Sequence, residues 1–276
     1  MDCIRLSWTN RPAKALEENA DFVTDVIRSL YNCKKQNVPT DVTKWIIDAP
    51  SSKIHSRRSA CVHQGVSEEI CSDTLFSNCS SASTHVFKFV RLSMDVVGRL
   101  MSKVPGLKVL HVLRDPRAIL MSRHRDGFMD YVGSYNEASK LLCDFMLQNI
   151  RECKKWQQRF TGLIKTVLYE DIVEHPVDAA NWLYEFFGLP FTKDIKRGVD
   201  QMTHGTDGTL LKYPSPNEWR QGLNISEAHV IDSNCRGVYD FMGLRTFDTE
   251  SLMKDMSTRS RVRQYDVGNY LFPIKK

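Results

Sequence analysis

The stretch Leu107-Lys-Val-Leu-His-Val-Leu-Arg-Asp-Pro-Arg-Ala-Ile-Leu-Met-Ser-Arg123 decides the fold. Val109 to Leu113 is apolar apart from His111, and such a short run suits a strand buried on both faces of a parallel sheet. The strand should stop at Arg114. Asp115 can then cap a helix with its carboxylate while Pro116 takes the first helical turn, where a missing N–H costs nothing. Strand, turn and helix follow without a spare residue. The junction therefore sets a helix N-terminus, with its free amides and positive dipole end, at the carboxyl edge of a sheet, where anions bind. Arg114 and Ser122 lie on either side of that point.

Working outward, residues 85–90 read as a strand and Met94 to Val104 as the helix after it. Upstream, residues 17–31 carry Phe22, Val23, Val26, Ile27 and Leu30 at helical spacing. Trp45 to Ile47 suggests a short strand, and residues 50–84, rich in Ser, Cys and charge, suggest a long loop, possible home of disulfides. Downstream, the junction helix runs from Pro116 to about Arg125. A long helix from Asn136 to Phe160 has Leu141, Leu142, Phe145, Met146, Ile150, Cys153 and Trp156 along one side. Leu163 to Tyr169 reads as a strand ending in Glu170-Asp171. A Pro176-led helix then stops at Gly188, with proline at entry and glycine at exit.

This alternation of strand and helix predicts an α/β domain with a parallel sheet flanked by helices. Beyond residue 190 the pattern changes. Residues 200–223, with three glycines and two prolines, read as an extended surface loop. A last helix spans Ser226 to Met242, with Gly243 beyond its end. The remainder, with the basic group Arg259-Ser-Arg-Val-Arg263, is expected to be a solvated or disordered terminus. There is no internal repeat and no boundary cue, so residues 1–245 are expected to form one domain and 246–276 a tail.

Composition bounds the function. The 276 residues are 42% hydrophobic and 10% aromatic, ordinary for a globular chain, and the net charge of +5 suits an anionic ligand but falls short of a dedicated nucleic-acid binder. No stretch approaches the roughly 18 apolar residues of a membrane span, and the N-terminus is not a signal peptide. None of the eight cysteines forms a CxxC pair, and no grouping of His, Cys and carboxylates has metal-site spacing. Cys61, Cys71 and Cys79 cluster as loop disulfides would. Two sequons, Asn78-Cys-Ser80 and Asn224-Ile-Ser226, lean towards a secretory lumen.

Arg114, Asp115, Pro116, Arg117 and Ser122 carry the chemistry. Arginine offers a planar fork of donors matched to phosphate, and a serine two helical turns in adds a neutral hydrogen bond to the same group. Spacing alone favours, by a small margin, a helix cap flanked by two surface arginines. The carboxylates of Tyr169-Glu170-Asp171 read as structural strand-end groups ahead of a catalytic base, and His204 as an exposed loop residue. His111 reads as a hydrogen-bonded core residue.

The run Val112 to Arg123 resembles the 3′-phosphate-binding motif of Golgi carbohydrate sulfotransferases, in particular those that sulfate the 6-hydroxyl of galactose and N-acetylglucosamine. Further similarity covers Arg28 to Cys33, Lys88 to Leu92, the helix around Leu142 to Asp144, Tyr169 to Asp171, and Trp219-Arg220 with Cys235 and Gly243 after it. The resemblance implies a P-loop-like sulfotransferase fold, PAPS (3′-phosphoadenylyl sulfate) as sulfuryl donor and PAP as product. It implies a glycan acceptor, a Golgi setting, an N-terminal membrane anchor in the family at large, and no metal. Carried over, Arg114 and Ser122 hold the 3′-phosphate and Arg220 lies near the donor. No catalytic base is assigned.

One departure counts against full likeness. The family's second donor motif is a glycine-, serine- and arginine-rich loop after its first strand, which cradles the 5′-phosphosulfate; here the first glycine is Gly65. The expectation is a chain that begins downstream of that loop. Losing about three charge-assisted hydrogen bonds of roughly 1.5–3 kcal/mol each would weaken donor binding by about 5–9 kcal/mol. The alternative to the enzyme is thus a non-catalytic truncated or diverged relative that binds PAP or an acidic glycan.

Overall fold

Both strand pairs among the described residues are parallel, and each belongs to a different compact unit of the chain. The computed structural model describes residues 3–6, 20–39, 60–67, 70, 71, 73, 76, 79–125, 127, 133–204 and 216–262. These fall into two compact units, residues 1–107 and 108–276.

In the first unit, β1 (Cys3–Leu6) pairs with β2 (Val86–Phe89) in the register Cys3↔Val86 to Leu6↔Phe89. Helix α1 (Ala20–Tyr31) turns Val23, Ile27 and Ala20 onto Val96, Leu100 and Val104, which belong to or follow α2 (Met94–Lys103). These lie at i, i+3, i+7 on α1 and at i, i+4, i+8 along α2, each set on one helical face. At the rim, Lys103 Nζ reaches Asp25 at 2.8 Å and Arg99 reaches Asp21 at 3.1 Å. Ser93 caps α2, accepting from the Val96 N–H. Two disulfides, Cys33–Cys79 and Cys61–Cys71, tie the region read as a cysteine-bearing loop. The strand expected at Trp45 to Ile47 lies outside the described residues.

In the second unit, β3 (Val109–Leu113) and β4 (Ile164–Leu168) pair from Val109↔Ile164 to Leu113↔Leu168. Between them the chain forms α3 (Pro116–Arg125) and α4 (Tyr135–Arg159), the crossover that a parallel pair requires. After β4 come α5 (Tyr169–Glu174), α6 (Pro176–Phe187), α7 (Lys193–His204), the single turn α8 (Trp219–Gly222), α9 (Ile225–Met242) and α10 (Glu250–Lys254). The long helices α4 and α9 form the core of this unit, joining Leu142, Met146 and Ile150 to Ile231, Val238 and Met242. Cys143–Cys235 staples them at its centre. Each begins with a reciprocal capping box, Ser134 with Glu137 and Asn224 with Glu227, which satisfies two otherwise unpaired N–H groups at each helix start.

Three expectations need correction. Residues 193–204 form α7, with Ile195, Val199 and Met202 on one side of a highly charged segment; Gly198 and that charge hide the period. His204, read as a loop residue, closes this helix. Leu141 is not on the core side of α4 but 64% exposed, because the stripe is centred on Leu142, Met146 and Ile150, and a neighbour is turned by about 100°. Third, residues 246–262 are not a solvated tail: Phe247 and Met253 are buried in the core, and Leu244 bridges antiparallel to Arg261.

Candidate strand-end anion site

The junction is built as its local sequence dictates. Asp115 is the cap: its Oδ1 accepts from the Arg117 N–H at 2.9 Å, and its own carbonyl accepts from the Ile119 N–H at 3.0 Å. Pro116, with no N–H to satisfy, opens α3. Because β3 and β4 are parallel and in register to their last pair, Leu113↔Leu168, the two residues that leave the sheet together are Arg114 and Tyr169. The Arg114 guanidinium lies 4.5 Å from the centre of the Tyr169 ring. Its Nε is buried and has no hydrogen-bond partner among the described residues. A stacked guanidinium with an unmet buried donor at a helix entrance suits an anion. Ser122 is half-buried on α3, about 9 Å along the axis from Pro116 at 1.5 Å per residue.

The next two residues of β4's exit also serve the junction. Glu170 is buried, and its Oε1 accepts from the Asp115 N–H at 2.8 Å while Oε2 is buried without a partner among the described residues. Burial is the main cause that pushes the Glu170 carboxyl up to about 7, against the opposing pull of the Asp115 N–H bond. Asp171 accepts a hydrogen bond from Arg261 Nη2, so the C-terminal segment is pinned to the same strand end. Tyr169, Glu170 and Asp171 thus make three successive contacts, to Arg114, to the Asp115 backbone and to Arg261. Both carboxylates are engaged in contacts that hold neighbouring chain segments.

The three arginines singled out by type part company here. Arg117 is fully buried, at 0% exposure, and is neither a surface charge nor an anion ligand. Its guanidinium engages Asp115 through Nη2 at 2.8 Å and Nε at 3.0 Å, Asp232 at 3.3 Å and the Arg245 carbonyl at 2.8 Å. It lies between the rings of Trp219 at 3.9 Å and Tyr239 at 4.7 Å. Tyr239 in turn donates to Asp232 at 2.7 Å. Arg220, expected near the donor, is 1% exposed. It spends four of the five N–H groups of a guanidinium on the carbonyls of Met253, Thr258, Leu252 and Asp255, at 2.6 to 3.2 Å. It brackets the turn after α10, and that leaves it no fork for a phosphate.

His111 sits in β3 with Nδ1 buried and without a partner among the described residues, unlike the hydrogen-bonded residue expected; burial pushes its imidazole down to about 4. Sequence reasoning missed Tyr169 as the platform for Arg114, and Asp232 and Arg261 as counter-ions. For Tyr169 a signal existed: two adjacent parallel strands ending in register bring their first exit residues side by side.

Carbohydrate sulfotransferase 6 of Homo sapiens is 24% identical to this chain over 85% of the chain and 71% of its own length. Carbohydrate sulfotransferase 1 of Rattus norvegicus is 25% identical over 90% of the chain and 71% of its own length. Carbohydrate sulfotransferase 5 of Mus musculus is 24% identical, with 85% and 71% covered. The Sulfotransferase family model matches residues 12–193, which include β3, β4 and the whole junction between Arg114 and Asp171. A match over more than half of its length, and through the junction itself, makes this chain a member of the sulfotransferase family.

Proposed function

We propose that the chain transfers a sulfuryl group from PAPS to a glycan hydroxyl, the 6-hydroxyl of N-acetylglucosamine or galactose, in the Golgi lumen. The observation that carries the reading is Arg114, laid on Tyr169 with its Nε buried and unmet at the mouth of α3. PAPS supplies an activated sulfuryl group and a 3′-phosphate. Arg114 presents paired N–H donors to that phosphate and Ser122 adds its hydroxyl. Asp115 and Glu170 hold the backbone that carries Arg114, and Asp171 holds the C-terminal segment, so none of the three is offered as the base that takes the acceptor's proton. Arg220 is left out of the donor site because its donors are committed.

The glycan acceptor is supported by the names of the relatives, all carbohydrate sulfotransferases. The lumenal setting is supported by three disulfides, which persist in oxidising compartments. Among the described residues no helix is long and apolar enough to cross a membrane. The same reading carries with it a P-loop-like sheet, which the parallel pairing of β1 with β2 and of β3 with β4 supports.

The test is sulfate transfer from labelled PAPS to glycans ending in galactose or N-acetylglucosamine, alongside calorimetry with PAP. Transfer together with PAP binding is expected. PAP binding without transfer would replace the enzyme by a non-catalytic PAP-binding relative, and no PAP binding by a folded chain would remove the donor reading altogether.

A further inference from the structure

The sequon Asn224-Ile225-Ser226 is left unused by the sulfuryl-transfer reading, and the structure gives its asparagine an unusual double commitment. Asn224 is the N-cap of α9: Oδ1 accepts from the Glu227 N–H at 2.9 Å, and the Asn224 N–H donates to Glu227 Oε2 at 2.9 Å. The other half of the side-chain amide, Nδ2, donates to no described residue. Asn224 is exposed, as are Gln221, Gly222 and Ser226 around it, while Leu223 and Ala228 turn inward. The cap thus uses the oxygen of an exposed residue and leaves the nitrogen without a partner among the described residues.

We infer that Asn224 is an N-glycosylation site whose glycan is carried on Nδ2 of the residue that caps α9 through Oδ1. The donor class is an oligosaccharide linked to a polyprenyl diphosphate. Nδ2 forms a bond to the anomeric carbon and loses one proton, and the bond from that carbon to the diphosphate oxygen breaks, so the lipid diphosphate leaves and no redox step is involved. The product is still a planar amide with its carbonyl oxygen intact, so the cap survives the modification. Ser226 supplies the hydroxyl that the acceptor triplet requires. The disulfide Cys143–Cys235, joining α9 to α4, requires the same oxidising lumen in which that transfer takes place. The inference does not depend on the donor site and stands if PAP does not bind.

The experiment expresses the full chain behind a cleavable secretory signal in cultured mammalian cells, with Asn78→Gln to silence the other sequon. Enzymatic deglycosylation in heavy-oxygen water is followed by peptide mass spectrometry. The Asn224 peptide should appear mostly as labelled Asp, while Ser226→Ala, which leaves the cap untouched, should carry no label and migrate faster by one glycan. Asn224→Asp, the residue that deglycosylation leaves, keeps a capping oxygen and loses the glycan; it should migrate with Ser226→Ala and carry no label. The Cys143–Cys235 link in the same digest certifies entry into the lumen. Unlabelled Asn224 in such disulfide-bonded chains overturns the inference.

Discussion

Replacing Arg117 by Met is expected to be among the most damaging single changes in the second unit. The change keeps volume and apolar stem but deletes the charge, leaving Asp115 and Asp232 buried without their shared cation. Asp115 retains the backbone N–H of residue 117 and Asp232 retains the Tyr239 hydroxyl, so each carboxylate keeps one donor. Removing one partner of a buried ion pair costs about 3–5 kcal/mol, at least about a fifth of the roughly 5–15 kcal/mol that holds a typical domain. Urea denaturation followed by far-UV circular dichroism should show a loss of that size at neutral pH. Because the damage is uncompensated negative charge, adding Asp115→Asn and Asp232→Asn to Arg117→Met should return roughly half of it. The deficit should also shrink as the pH falls, since Asp232, already held above its ordinary value by burial, can then take a proton. A single variant within about 1 kcal/mol of the parent, or a triple variant no more stable than the single, would refute the reasoning.

Arg114→Ala should weaken PAP binding by about 1.5–3 kcal/mol, the scale of a charged hydrogen bond, and Tyr169→Leu by about 0.5–2 kcal/mol through loss of the stack; calorimetry checks both, and unchanged affinity in folded variants removes these residues from the site. Glu170 and His111 should impose opposite pH slopes. Between about 4.5 and 7 the folded protein holds a proton on Glu170 that the unfolded chain releases, so this carboxyl lowers stability as pH rises; between about 4 and 6.5 folded His111 lacks a proton that the unfolded chain binds, so it lowers stability as pH falls. Glu170→Gln should therefore leave stability rising with pH from about 4.5 to 6.5, measured by denaturation across that range, and a profile parallel to the parent's would contradict the assignment. Opening Cys143–Cys235 with a Cys143→Ala, Cys235→Ala pair should cost up to about 4–5 kcal/mol, the chain-entropy value for its 92-residue separation, read as a lowered denaturation midpoint.

Much of the fold is legible because helix and strand ends are local. Asp115-Pro116, Ser134 with Glu137, and the glycines at 188 and 243, both left-handed with φ of 72° and 67°, mark their elements within three or four residues. Helix α7 was hidden because charge and Gly198 break the period over twelve residues. The segment 246–262 looked like a free basic end because its anchors are distant: Arg220 for its carbonyls and Asp171 for Arg261.

Arg114, Arg117 and Arg220 are the same residue type at equally suggestive places, and local pattern cannot rank them. What the sequence by itself determined is the strand-to-helix turn, its cap, and therefore an anion-suited edge, because those interactions span only a few residues. Tertiary structure decided which of the three keeps a buried donor without a partner among the described residues. Asp232, 115 residues from Arg117, and the carbonyls of 252–258, more than thirty from Arg220, neutralise or occupy those two side chains, while the register of β3 with β4 sets Tyr169 beneath Arg114.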